Sequence, residues 1–192
     1  MAIRRPQAAP EEPLPVSRYH GRRMSEAEYL ALPEEKPYLE YVDGVVLQKP
    51  MPDHIHRRLI RLFDFLFETY IRAHGGDGGP EGRVRLADGS GYRLPDTAYW
   101  APGRVSGKDS APSLAVEVRS SDQSMADLRR KCRAFRANGV DCCWLIDPYR
   151  RTVEVFEGGR DGERLAADQP LETAVMPGFS VTQAELWAAM ER

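Results

Sequence analysis

The sequence predicts an α/β fold in which a mixed β-sheet is flanked by helices. Three observations carry this reading. Several short apolar runs are joined by turn residues and read as hairpins. Other such runs are separated by stretches of helical periodicity, so strands meet both through turns and across helices. The 192 residues are 42% hydrophobic and 29% charged, enough for one soluble globular domain with a full core.

Residues 1–23 hold Pro6, Pro10, Pro13 and Pro15 among scattered charges and read as a flexible N-terminal arm before a single domain over residues 24–192. The arm's Arg4, Arg5, Arg18, Arg22 and Arg23 suit phosphates, with a solvated tail as the plainer reading. Ser25 followed by Glu28 is a capping-box pattern that opens a short helix through Leu32. Tyr38–Val42, the turn pair Asp43-Gly44 and Val45–Leu47 form a hairpin. Ile55, Leu59, Leu62, Phe63, Leu66, Phe67, Tyr70 and Ile71 recur at helical spacing and stop before Gly75-Gly76. The Gly-rich stretch 75–82 reads as a loop. Arg83–Ala87 and Tyr92–Trp100 read as two strands joined by residues 88–91, and Leu114–Val118 as a third. Asp122–Asn138 is a helix closed by Asn138-Gly139. Cys142–Ile146 and Thr152–Phe156 are paired strands, and Thr182–Met190 is a closing helix.

Composition excludes little by itself. No apolar run approaches the ~20 residues of a membrane span, and the start lacks a signal-peptide apolar region, so the expected location is the cytoplasm, with no membrane partner. Cys132, Cys142 and Cys143 have neither metal-ligand spacing nor an even-numbered disulfide framework, and read as buried thiols. The net charge of −2 leaves any nucleic-acid surface local.

The chemistry concentrates in Leu94-Pro95-Asp96 and Ala115-Val116-Glu117-Val118. Each acid sits in an apolar run, and a buried carboxylate needs a partner. A divalent cation suits two of them, and acids on neighbouring strands hold Mg²⁺ against a phosphodiester in several nuclease folds. The strand of Glu117 leads into the helix 124–138, whose apolar stripe is Met125, Leu128, Cys132 and Phe135. Lys131 lies at the stripe's edge, where a long stem can deliver an ammonium into a cleft. An Asp127–Lys131 surface pair is the competing reading. Glu40 alternates with Leu39 and Tyr41, which fits either a site acid or a solvent-facing strand residue.

These segments, with Asp43-Gly44, Pro52-Asp53-His54, Asn138-Gly139-Val140 and Trp144–Pro148, resemble in order the Uma-two family of the PD-(D/E)XK restriction-endonuclease-like superfamily, over roughly residues 24–188. The resemblance implies a restriction-endonuclease-like core and a nuclease that hydrolyses DNA with Mg²⁺ or Mn²⁺. Asp96 and Glu117 match the metal-binding acids, and Glu40 an additional acid. The superfamily's usual lysine position falls on Arg119, which can clamp a phosphate but not exchange a proton near pH 7. The lysine has moved to Lys131 on the following helix. His54 matches a recurrent position at the start of the long helix, where a simple polar helix-terminal residue is the alternative. The chain departs from the family pattern at Ser120-Ser121-Asp122, at Phe135 and over Val140–Trp144, none of which removes an acid or the lysine. A homodimer would suit two strands of a duplex. The rival reading is a nucleic-acid-binding or regulatory module that keeps the fold without turnover.

Overall fold

The computed structural model describes residues 16–191 apart from residues 81, 105 and 107–109. Ser25 caps α1 (Glu26–Leu30) in a complete capping box with Glu28. A hairpin follows, β1 (Leu39–Val42) and β2 (Val45–Gln48), then the long α2 (His54–His74). Next come β3 (Asp77–Pro80), β4 (Val84–Arg85), β5 (Gly91–Arg93), β6 (Thr97–Trp100) and β7 (Leu114–Val118). The chain finishes with α3 (Met125–Ala137), β8 (Cys142–Asp147), β9 (Thr152–Glu157), β10 (Arg160–Arg164) and α4 (Gln183–Glu191).

The strands form two sheets. One is antiparallel, in the order β2-β1-β5-β4; the other runs β10-β9-β8-β7-β6-β3. Only β7 and β8 pair in parallel among the described strands, and α3 supplies the crossover that a parallel pair requires. The larger sheet is therefore mixed. On one face Leu59, Phe63 and Phe67 of α2 pack against Val116, Val118 and Trp144. On the other, Leu128, Cys132 and Phe135 of α3 cover Ala115, Cys143 and Leu145. Tyr29 of α1 joins Leu39, Tyr41, Val46 and Tyr92 in a separate cluster on the small sheet. All three cysteines are buried free thiols, as expected.

Three differences from the sequence reading have physical causes. Residues 77–80, read as loop, pair with β6 as an edge strand. A Cβ on Gly78 would lie 2.9 Å from the Ala98 carbonyl oxygen, so glycine permits the close approach that its loop-like composition conceals. Tyr92–Trp100, read as one strand, breaks at Leu94-Pro95-Asp96 and contributes to both sheets, since Pro95 has no N–H for a ladder. The expected arm is held over its described part. Gly21 N–H donates to Val46 O at 2.8 Å and Val46 N–H to Arg22 O at 2.9 Å, which satisfies the edge of β2. Residues 1–15 of that arm lie outside the described residues. Among the described residues, no helix is long and apolar enough to cross a membrane.

Candidate active site

Asp96 sits where the chain leaves the small sheet for the large one. Its backbone N–H donates to Val116 O at 3.1 Å, and its Oδ2 accepts from Val118 N–H at 2.8 Å. These two bonds bracket Glu117 on β7. Val116 and Val118 face the α2 side of the sheet, so alternation turns Glu117 with Ala115 toward α3. There it meets Lys131.

Lys131 is buried, and its Nζ lies 2.8 Å from Glu40 Oε1 and 3.0 Å from Glu117 Oε1. It also donates to Leu94 O at 2.8 Å. Asp127 pairs instead with Arg130, so the surface pairing is not adopted. Glu40 Oε1 accepts from Leu94 N–H at 2.9 Å, and its Oε2 is 3.5 Å from Arg93. The linker Leu94–Asp96 thus holds acids from both sheets around one ammonium.

Two further groups complete the cluster. Lys49 Nζ lies 2.9 Å from Asp96 Oδ1, and His56 Nε2 lies 2.9 Å from Asp96 Oδ2. Glu40, Asp96 and Glu117 are therefore packed with Lys49, Lys131 and Arg93, all shielded from bulk water to differing degrees. Such a cluster holds together only through this mutual compensation.

The acids differ in acidity. Burial opposes ionisation of Asp96, but Lys49 and His56 override it and hold the carboxyl well below its usual range. Burial likewise opposes ionisation of Glu40, and Lys131 and Arg93 lower it nonetheless. Glu117 is pushed up to about 7, because burial outweighs Lys131 and the Asp96 charge adds repulsion. Burial would depress the Lys131 ammonium, but Glu117, Glu40 and Asp96 raise it, so it stays protonated.

Beside Asp96 and His56 opens a cavity of about 270 Å³ lined by Arg57, Ile60, Arg61 and Asp64 of α2. Arg57 and Arg61 lie one helical turn apart and are exposed. A local basic face therefore meets the acid cluster.

A model of the Uma2 family, described as "Putative restriction endonuclease", matches residues 26–191. The chain belongs to this family. The Uma2 fold is shared with a crystal structure described as that of a putative nuclease belonging to DUF820 from Anabaena variabilis. The two align with a TM-score of 0.78 and 22% identity, over 87% of this chain and 99% of that one. A cryo-EM structure of a DrdV–DNA complex aligns at a TM-score of 0.41 and 14% identity, over 60% of this chain and 10% of that one, a likeness too weak to carry an argument. No curated protein matches the chain.

Of the residues singled out in this Uma2 chain, the structure brings together Glu40, Asp96, Glu117 and Lys131. It does not bring in the other two. His54 is exposed at the first position of α2, and the histidine in the cluster is His56, one strand-like step later but on the buried side of the helix. Arg119 turns away from the acids. Its Nε donates to Gln123 O at 2.9 Å and its Nη1 lies 3.3 Å from Asp147, a fully buried acid that it neutralises.

His56 and Lys49 escaped the sequence reading, although both left a signal. His56, Leu59, Phe63 and Phe67 follow the 3–4 residue step of the buried stripe. Lys49 N–H donates to Tyr38 O, which continues the hairpin register and sets Lys49 on the face of Glu40.

Among the described residues, no group of three or more His, Cys, Asp or Glu side chains is disposed to hold a metal ion. Two carboxylates suffice for a hard cation that keeps several waters. Glu117 Oε1 is buried without a hydrogen-bond partner, its contact with Lys131 being ionic only. An oxygen left in this state, repelled by Asp96, fits a hard divalent cation.

Proposed function

We propose that this chain is a metal-dependent nuclease that hydrolyses DNA phosphodiester bonds at the Asp96–Glu117–Lys131 cluster. The convergence of Lys131 on Glu40 and Glu117, beside Asp96, is the observation that supports it. Asp96 and Glu117 would hold Mg²⁺ or Mn²⁺, and the bound ion would supply Lewis acidity and a nucleophile at neutral pH. Lys131, kept cationic by three acids, offsets negative charge that grows on the attacked phosphate. Glu40 orients that ammonium by sharing it, and Lys131 and Arg93, which hold its carboxyl below the usual carboxylate range against burial, keep it an ionised acceptor. Arg57 and Arg61 give the adjoining cavity the charge to hold the strand's phosphates.

One observation favours the rival reading of a binding module. Both oxygens of Asp96 already have partners in Lys49, His56 and the Val118 N–H. A centre neutralised internally can serve recognition without turnover.

A cleavage assay with Mg²⁺ or Mn²⁺, run beside thermal melts, separates the two. The nuclease reading expects metal-dependent cutting of DNA and a higher melting midpoint in millimolar Mn²⁺, with both lost in Asp96→Asn. Lys131→Ala should cut ~10²–10³-fold more slowly while binding DNA almost as well. Intact protein that leaves linear, supercoiled and single-stranded DNA uncut would favour the binding module.

A further inference from the structure

A second cavity, of about 180 Å³, has Lys49 in its lining and shares Pro52 with the arginine-lined one. Its lining includes Lys36, Pro37, Tyr38, Met51 and Pro52. Tyr38 continues β1 by one residue, with its carbonyl accepting from Lys49 N–H at 2.7 Å. Leu39 pairs with Gln48, so Tyr38 stands opposite Lys49 on the face that carries Glu40. Two residues along a strand span roughly 7 Å. The pocket therefore opens within about one nucleotide of the acid cluster.

Its chemistry is specific in kind. The Tyr38 ring is half-buried, Lys36 Nζ rests 5.5 Å from the ring centroid on an exposed stem, and Met51 is 44% exposed beside it. An exposed methionine and an aromatic ring make an adaptable apolar slot, and Lys36 gives its mouth positive charge, the Lys49 ammonium being held at Asp96. The volume is below the ~300 Å³ at which drug-sized ligands begin to fit. There is space for one planar ring system and none for a base pair.

We infer that the Tyr38 pocket binds a single unpaired nucleobase of the strand whose phosphate lies at Asp96 and Glu117, so that the protein prefers single-stranded, frayed or flipped nucleotides to intact duplex. This rests on the nucleic-acid side of the reading above. The base enters by displacing Lys36 from the ring face and stacks on Tyr38, while the released ammonium meets a neighbouring phosphate. Stacking of this kind tolerates every base, since each has a π-face. The pocket therefore selects strandedness and leaves sequence unread.

The test uses the full chain in EDTA, so that binding is read without cutting. The probes are a single-stranded oligonucleotide carrying 2-aminopurine and a blunt duplex of the same sequence. Wild type should bind the single strand more tightly and quench the 2-aminopurine. Tyr38→Ala should weaken single-strand binding roughly 5- to 100-fold and abolish the quench, with duplex binding changed less than about twofold. Tyr38→Phe should retain both. Met51→Glu, an exposed change that leaves the core intact, should reproduce the loss even if Tyr38→Ala folds poorly. A quench that survives Tyr38→Ala, or equal losses on single strand and duplex, would overturn the pocket and leave the nuclease reading standing. A Tyr38-dependent quench in a protein that never cuts would keep the pocket and remove the nuclease. Absence of any binding to either probe would overturn the pocket as well.

Discussion

Asp96 and Glu117 are almost equally deep, at 5% and 1% exposure, yet their acidities move in opposite directions. Both suffer the same cost of burial. Asp96 recovers it from Lys49, His56 and the Val118 N–H, three groups directed at two oxygens. Glu117 has only a share in Lys131, which is also drawn to Glu40 and to Leu94 O. Depth therefore does not set the charge state of a buried acid; the number and aim of the cations around it do. The contrast gives the centre one acid held toward its charged form and one pushed toward its neutral form.

The largest effect should come from removing the cation that Glu117 and Glu40 share. Lys131→Met keeps apolar bulk but leaves two buried acids uncompensated, and should cost ~3–5 kcal/mol in a urea melt. Adding Glu117→Gln should return part of that loss. A double variant no more stable than Lys131→Met would mean that Glu117 is not strained by its setting, and the contrast would fail.

A smaller effect lies in pH, measured without metal. An acid raised in the folded state takes up a proton on folding, so its contribution declines as pH rises. For Glu117 that decline spans from its ordinary value of 4.5 to about 7. Asp96 behaves oppositely, giving stability above its ordinary 3.8 that is lost as pH falls below it. Glu117→Gln should flatten the slope of unfolding free energy between pH 4.5 and 7 and leave the acid limb unchanged. A slope identical to wild type would show that Glu117 titrates normally.

The smallest effects separate the two histidines in the first turn of α2. His56→Ala removes a group 2.9 Å from Asp96 and opens a buried space, and should lower stability by ~1–3 kcal/mol. His54→Ala, at an exposed position, should fall within about ±0.5 kcal/mol. Equal losses would place Asp96's support elsewhere.

Much of this molecule can be read from its sequence. Hydrophobic periodicity and turn residues are local, so the first hairpin, the long α2, the strand of Glu117, α3 and the β8–β9 pair appear near where they were expected. The mixed sheet is consistent with their order, because hairpins pair antiparallel while α3 is long enough to carry the chain over to a parallel β8. The acids and Lys131 were visible because charged residues inside apolar runs need a reason to be there. Arg119 and His54 lie outside the acid cluster, because sequence position gives a residue's neighbours along the chain and not its direction.

The sequence by itself determined most of the elements and the mixed sheet, and singled out four of the clustered side chains, two of them (Glu40 and Lys131) with a surface role as the alternative. Tertiary structure alone decided the break of Tyr92–Trp100 into two sheets, the edge pairing of residues 77–80, the docking of residues 17–23 and the choice of His56 over His54. It also decided that Lys49 and His56 share Asp96 while Lys131 serves Glu40 and Glu117. The physical reason is range. Propensity and periodicity act within a turn or a strand, whereas ion pairing among buried groups depends on distances between residues far apart in the chain, from Glu117 with Lys131 to Glu40 with Lys131, which only the folded chain fixes.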